Sequence, residues 1–506
     1  MRNALIASLL FVLTASAAMG DDPQINLPLT KAAWTYSADE GKTFTLARQE
    51  LRPLAVAAVA ARAEFQIDDP VAYGGMFLAA DPNLGAAPSY TINGKAVAGP
   101  LDGMMYQSIP LDCAKYLVKG KNVLVASGKY TNKLDAAAAV VVAPRLEILP
   151  PAAVAIQSGP VLGHVGADYF TVTCRTNIPA EVTAEAGVGK ERCKATSSRG
   201  YIHRLKVPLP PGIIKFQYTV TARVGAASAT AGPFEVTVPG RNPEGFRFVI
   251  AGDSRSNPGG WKNVAAASLK SAPEVFFFTG DTVSSGPLDE LWDSEFFAPA
   301  KELFATVPLY SVIGNHEDHA PIYAEMIYSP GGDGRSMNWS QTIGGALFIG
   351  IDGAEDWKAG SKNIQWLQGV LDASKEKFVF FLTHYPAWSS GPHGRGEQPA
   401  FECRDVIMPL LAKYKVQAMV AGHDHDYERS EPPADKGVMC IVAGGAGAPL
   451  YKKSGRAAAG NPYSKLFIAG SLHYCVFDLT GETCTMKVYD LQGKLLDEKT
   501  FVARKL

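Results

Sequence analysis

Five short stretches of this chain end in residues able to hold a metal ion. They read AGDSR, TGDTV, GNHE, LTHYP and VAGHDHDYERS, and they carry Asp253, Asp281, Asn315 with His316, His384, and His423 with His425. Six of the nine histidines fall between His316 and His425, a concentration that random scatter would not produce. Carboxylates, neutral imidazoles and an amide oxygen form a mixed donor set suited to divalent or trivalent transition ions. A carboxylate can also bridge two of them. Two ions about 3.5–4 Å apart clamp phosphate oxygens, make a hydroxide available near neutral pH and stabilise a leaving oxygen, so this set suits phosphoester hydrolysis. Each motif alone is weak and reads as an ordinary turn, and only their joint order carries weight.

The elements around these motifs explain how they could meet. From Phe246 on, the apolar runs FRFVIAG, EVFFFTG, VPLYSVIG, ALFIGID, FVFFLTH, VQAMVAG and GVMCIVAGG have strand length. Between them, WKNVAAASLKSA, LDELWDSEFFAPAKELFA, SKNIQWLQGVLDASKEK and CRDVIMPLLAKYK show helical spacing, the pattern of βα units around buried sheets. Each motif begins where an apolar run stops, and the carboxyl ends of neighbouring strands face one crevice. Glycines before Asp253, Asp281, Asn315 and His423 are expected to let the backbone turn tightly there. The end, HYCVFDLTGETCTMKVYDLQGKLLDEKTF, returns to hairpin strands.

The ordered series GDSR, GDTVSSG, GNHE, THYP and GHDHDYER resembles the calcineurin-like metallophosphoesterases, and the last block is most similar to their purple acid phosphatase branch. The resemblance covers residues 241–506 and implies a four-layer α/β/β/α domain. It also implies an exported binuclear phosphomonoesterase in which a metal-bound hydroxide attacks, with two ions drawn from Fe, Zn or Mn. Carried onto this sequence, it gives one ion Asp253, Asp281 and His425, and the other Asp281, Asn315, His384 and His423, with Asp281 as the bridge. His316 takes the place of the imidazole beside the leaving oxygen, and His393 in SSGPHGRG lies where relatives place substrate contacts. Two departures stand out. Ser284 replaces the tyrosine of the branch, and Arg255 replaces the histidine that other members carry two residues after the first aspartate. The first ion therefore lacks a fourth protein ligand, and no iron-tyrosinate colour is expected. Arg255 is read either as a phosphate-binding guanidinium or as the partner of an acid such as Asp289 or Glu290. Glu317 is a candidate to orient a ligand, His319 reads as a solvated loop residue, and AGGAGAPLY as a tight loop beside the site.

Elsewhere the sequence sets bounds. With 48 basic against 49 acidic residues, nothing argues for nucleic acid or an anionic membrane as partner. Residues 1–20, MRNALIASLLFVLTASAAMG, have the pattern of a secretory signal peptide, and no apolar stretch long enough to span a bilayer follows, so a secreted or periplasmic location is expected. Residues 21–150 read as short strands and resemble the jelly-roll, galactose-binding-like modules of secreted hydrolases, which makes carbohydrate a candidate partner. Residues 151–240 resemble a fibronectin type III sandwich, and residues 241–506 form the catalytic unit. The fold class expected is thus multidomain, with two N-terminal β-sandwich domains followed by an α/β metallophosphoesterase domain. His203 reads as structural and His164 as part of an exposed loop. Cys475 with Cys484, and less clearly Cys174 with Cys193, are candidate disulfide pairs. Two functions compete with the monoesterase: a phosphodiesterase acting on nucleotides, lipid head groups or phosphorylated glycans, and a secreted carbohydrate-binding protein whose catalytic domain is degenerate.

Overall fold

The structure, a computed structural model, describes residues 34–37, 42–43, 45, 58–67, 73–77, 89–97, 111–129, 145–149 and 153–505 except 190, 243–244, 331–336, 395–396 and 456–459. The segment expected to be a signal peptide lies outside the described residues. No helix among the described residues is long and apolar enough to cross a membrane.

Short strands build two antiparallel sheets in the first part. One joins Trp34–Ser37, Ala58–Ile67, Gly120–Lys129, Ser89–Ile92 and Lys95–Ala96, and the other joins Leu111–Asp112, Tyr73–Phe77 and Arg145–Leu149. The second part is organised by two long strands, Tyr169–Val188 and Glu191–Pro208. The stretches DYFTVTCRTN and AEVTAEAGV fall in the two halves of the first of these. The register breaks between Arg175 and Val182, so Phe170–Thr176 pair with Ile156–Val165 while Glu181–Gly187 pair with Lys215–Val224. A break of this kind bends a strand and lets one hairpin serve two layers. Strict alternation along Lys215–Val224 then turns Phe216, Tyr218, Val220, Ala222 and Val224 into a shared core.

This part is locked onto the C-terminal half. The buried Arg175 guanidinium meets the Asp289 carboxylate through two contacts of 2.5 Å. Ser158 donates to Asp293 (2.9 Å), Tyr218 donates to the Ala305 carbonyl (2.8 Å), and Arg204 donates to the carbonyls of Ala324 (2.6 Å) and Ile327 (3.1 Å). His164 is not in an exposed loop. It sits on the strand Ile156–Val165, half-buried, with Nδ1 3.2 Å from the Tyr310 hydroxyl.

In the C-terminal half we number the strands β1 (Phe246–Ala251), β2 (Val275–Phe278), β3 (Leu309–Ser311), β4 (Trp339–Ile343), β5 (Ala346–Gly350), β6 (Phe378–Leu382), β7 (Ala418–Ala421), β8 (Tyr427–Ser430), β9 (Met439–Ala443), β10 (Ser464–Ile468), β11 (His473–Thr480), β12 (Thr483–Asp490) and β13 (Leu495–Val502). They form a six-stranded sheet in the order β3-β2-β1-β11-β12-β13 and a seven-stranded sheet in the order β4-β5-β6-β7-β9-β8-β10. The facing sides are filled by aromatic rings from both sheets, with Phe248 stacked on its strand neighbour Phe477 at 4.7 Å within the first and Phe277 on Phe348 of the second at 4.2 Å. On the outer face of the first sheet, Val249, Phe276 and Phe278 pack under Trp261, Phe296 and Phe304 from helical segments. On the outer face of the second, Ile349, Val379 and Met419 pack under Leu367, Leu371, Met408 and Leu411. Strands covered on both faces explain why the runs are continuously apolar rather than alternating.

The expected disulfides do not fit this register. Cys484 stands opposite Leu479 and Cys475 opposite Val488, so the two are offset by four residues, roughly 13 Å along a strand, beyond the reach of a bridge. Cys174 faces His203 and Cys193 faces Ala186, far apart on the same ladder. All seven thiols are free.

Candidate metal centre

The strands β1, β2 and β3 run parallel, as do β6 and β7 in the other sheet, and their carboxyl ends meet at one rim. Asp253 follows β1, Asp281 follows β2, Asn315 and His316 follow β3, His384 follows β6, and His423 with His425 follow β7. The backbone at this rim is held in costly shapes. Asp253 (φ 64°), Asp281 (φ 58°) and His423 (φ 71°) all adopt the left-handed region, which costs a non-glycine residue on the order of 1–3 kcal/mol. The glycines before them serve a different need from the turning expected. A Cβ at Gly422 would lie 2.3 Å from Asp253 Oδ2 and one at Gly314 2.4 Å from Asp281 Oδ1, so they allow strand ends to approach. Only Gly280 combines such an approach with a left-handed backbone, φ +90°.

Hydrogen bonds fix each imidazole. His384 donates Nδ1–H to the Thr279 carbonyl (2.8 Å), His425 donates Nδ1–H to the Pro449 carbonyl (2.7 Å), and His423 donates Nε2–H to the Glu397 carboxylate (2.8 Å). Carbonyl and carboxylate oxygens only accept, so in a neutral ring the other nitrogen presents a lone pair to the interior. Burial holds His384 and His425 down to about 4, which keeps both neutral. Around His384 Nε2 stand Asn315 Oδ1 at 3.1 Å, His423 Nδ1 at 3.1 Å and Asp281 Oδ1 at 3.3 Å. Acceptors face one another here with no proton donor between them. That arrangement fits a cation, and ligand histidines whose outer N–H is held by a carbonyl or carboxylate are the usual support for one.

The neighbouring group differs. Asp253, Asp281 and His425 each offer one atom within 4.8 Å of the others. Asp253 accepts the His423 backbone N–H on both oxygens at 3.0 Å, and its Oδ1 lies 3.7 Å from His425 Nε2. Arg255 enters this group, with Nε 3.2 Å from Asp281 Oδ2 and Nη2 3.4 Å from His425 Nε2. It does not pair with Asp289, which Arg175 holds. Burial alone would push Asp281 up, but His384, His316 and Arg255 outweigh it and hold this carboxyl below the ordinary range. Asp253, buried and beside Asp281, is pushed well above it. Ser284 is turned away: its N–H (2.6 Å) and hydroxyl (2.7 Å) both donate to Glu295.

The remaining residues frame the rim. His316 donates Nδ1–H to the Ser284 carbonyl (2.7 Å), leaving Nε2 3.9 Å from Asp281 Oδ2. His393 pairs with Asp424 at 2.8 Å, which holds its pKa up, and its ring lies 4.5 Å from that of His423. Glu317 is fully buried and accepts from the Asp281 N–H (3.1 Å), the Gly314 N–H (2.6 Å) and the Thr282 hydroxyl (2.6 Å), so it orders the loops after β2 and β3 rather than an imidazole. Tyr451, from the glycine-rich loop, stacks on His425 at 4.1 Å. Sequence reasoning did not reach Glu397, Asp424, Glu295 or Tyr451. Only Asp424 carried a signal, standing between the two histidines of the last motif.

His319 is not merely solvated. Its Nε2 lies 2.5 Å from Asp352 Oδ2, and its side chain is 53% exposed. The bond to Asp352, helped by Asp318 and Glu355, raises its pKa above the ordinary 6.5. Folding therefore favours protonated His319, and the gain is fully present below pH 6.5 and lost as pH rises through the higher folded value. We expect His319→Gln to be less stable than the parent by roughly 0.2–1 kcal/mol near pH 5.5 and nearly equal to it near pH 9, in urea unfolding at both. A deficit of the same size at both pH values would rule this pair out as the cause.

Residues 246–427 match the family model described as calcineurin-like phosphoesterase. Over 217 residues the chain is 29% identical to "Probable inactive purple acid phosphatase 24" of Arabidopsis thaliana, covering 35% of this chain and 35% of that protein. It is 25% identical over 217 residues to "Tartrate-resistant acid phosphatase type 5" of Homo sapiens, covering 36% of this chain and 61% of that one. The match thus spans about a third of the length of the Arabidopsis relative. In fold, the structure of a purple acid phosphatase from yellow lupin (Lupinus luteus) seeds superposes with a TM-score of 0.60 at 17% identity, over 88% of this chain and 93% of that one.

Proposed function

With residues 246–427 a calcineurin-like phosphoesterase domain, we propose that this chain is a two-ion hydrolase of phosphate monoesters. The observation that carries the reading is the ring of acceptors around His384 Nε2, formed by Asn315, His423 and Asp281 with every outer ring nitrogen tied off. Transition ions held there and beside Asp253 and His425 would withdraw charge from phosphate oxygens and make water nucleophilic near neutral pH. The protein's own part is positioning. Asp281, shared by both groups, sets their separation. His316, its ring fixed by Ser284, presents Nε2 to the rim, where in the imidazolium form it would give the Nε2 proton to the departing alkoxide and be left neutral, with Nδ1–H still on the Ser284 carbonyl. His393 and Arg255 supply N–H donors to the remaining phosphate oxygens.

Elemental analysis of the purified protein, beside hydrolysis of a chromogenic monoester and diester, tests this. Metal-dependent turnover favouring the monoester is expected. Preference for the diester would select the phosphodiesterase reading, and neither metal nor turnover would remove the enzyme reading altogether. His316→Ala should lower kcat about 10²–10⁴-fold on an ester with a poor leaving group while metal content stays the same. An unchanged kcat would assign proton delivery elsewhere. One observation favours a second reading, a binding protein with a degenerate catalytic domain: Arg255 stands in the first ion group and Ser284 is engaged by Glu295. Bound metal without turnover is its signature. Residues 1–20 support export, and the β-rich part ahead of residue 150 is the place to look for a carbohydrate ligand.

A further inference from the structure

The two ion groups differ in one physical respect. Around His384 two imidazole nitrogens, an amide oxygen and a carboxylate oxygen converge, with no lysine or arginine among them. Around His425 a positive charge is already present. The Arg255 guanidinium, only 17% exposed, donates Nε–H to the carboxylate shared by the two groups and lies within 3.4 Å of the one inward imidazole nitrogen. A guanidinium stays charged throughout the accessible pH range, so it cannot vacate its charge as a lysine or histidine would. Tyr451 closes the group from above by stacking on His425. Ser284 gives both its N–H and its hydroxyl to Glu295, which also accepts the Ser256 N–H at 3.2 Å.

We infer that Arg255 is the resident cation of the first group and competes with a metal ion for Asp281 and His425. The ion at Asp281, Asn315, His384 and His423 binds tightly and first. The ion at Asp253, Asp281 and His425 enters only as the guanidinium withdraws, so the centre fills in a set order and the second equivalent is the weaker. Arg255 is then a positioning residue of the centre, tuned to keep one ion exchangeable. This rests on the two-ion reading above.

Titration of the metal-free full chain with Zn²⁺ by calorimetry, with bound zinc counted by elemental analysis, tests it. The wild-type chain should take up one tight equivalent and a second that is weaker by roughly tenfold or more. Arg255→Ala should leave the tight equivalent in place and tighten the other by roughly tenfold. His384→Ala should remove the tight equivalent and keep the weak one. If Arg255→Ala loses the tight equivalent, its fold is damaged and Arg255→Gln, uncharged with a similar stem, becomes the deciding variant. Two equal equivalents in the wild-type chain, or a second equivalent unmoved in both arginine variants, overturn the inference. A wild-type chain that binds no zinc at all overturns instead the two-ion reading beneath it.

Discussion

Asp281→Asn should lose hydrolysis and metal together while remaining folded. The substitution keeps the shape of the side chain, and one oxygen can still accept the His316 backbone N–H, now 3.0 Å from Oδ1. What it removes is the charge common to both ion groups. Oδ1 faces His384 at 3.3 Å and Oδ2 faces Arg255 at 3.2 Å, so the amide must turn its NH₂ toward one of them. A donor aimed where an ion should sit repels that ion. Losing a mere hydrogen-bond partner of a ligand costs about 10–100-fold in affinity or activity, and losing the shared ligand itself should cost more. Elemental analysis and turnover of a chromogenic monoester are the measurements. Wild-type turnover in the asparagine variant would place the chemistry somewhere else on the molecule.

Arg175→Ala should be strongly destabilising although it lies outside the centre. Arg175 is 2% exposed and Asp289 9%, and the two are joined through Nη1 and Nη2 of the guanidinium. Truncating the arginine leaves a carboxylate buried without its counter-charge, which costs about 3–5 kcal/mol. Removing both charges is a different matter. Arg175→Met with Asp289→Leu should recover most of the loss, since desolvating an ion pair offsets much of its attraction. Guanidinium unfolding of the single and double variants measures both. A loss below about 1 kcal/mol in the single variant would mean that the pair is compensated by solvent.

How far the sequence reached follows from the range of each signal. A strand buried on both faces is a continuous apolar run, so its last residue is visible as the first polar one; Asp253, Asp281, Asn315, His384 and His423 stood out on that ground. Their meeting at one rim followed from parallel strands. Arg255 was noticed for its departure from a pattern, but its contact with Asp281 and His425 spans 26 and 170 residues and has no local signature. The pair Arg175–Asp289 and the bond from His423 to Glu397 were illegible for the same reason. The disulfide expectation failed because a hairpin turn was read without its register. Cys475 and Cys484 flank one turn, yet cross-strand neighbours are set by distance from that turn, and theirs are unequal. His164 was misplaced because GHVG looks like a loop, whereas strand pairing with Phe170 and Val172 carries it into a sheet.

The division of the donors between the two sheets has a mechanical meaning. Asp253, Asp281 and Asn315 come from the six-stranded sheet, and His384, His423 and His425 from the seven-stranded one. Each proposed ion would therefore be a rivet through both leaves, fastening at the rim a seam that Phe248, Phe277, Phe348 and Phe477 cement along its middle. Any motion that parts the leaves at this edge must break ligand bonds, so a loaded centre would stiffen the same crevice into which the substrate has to fit.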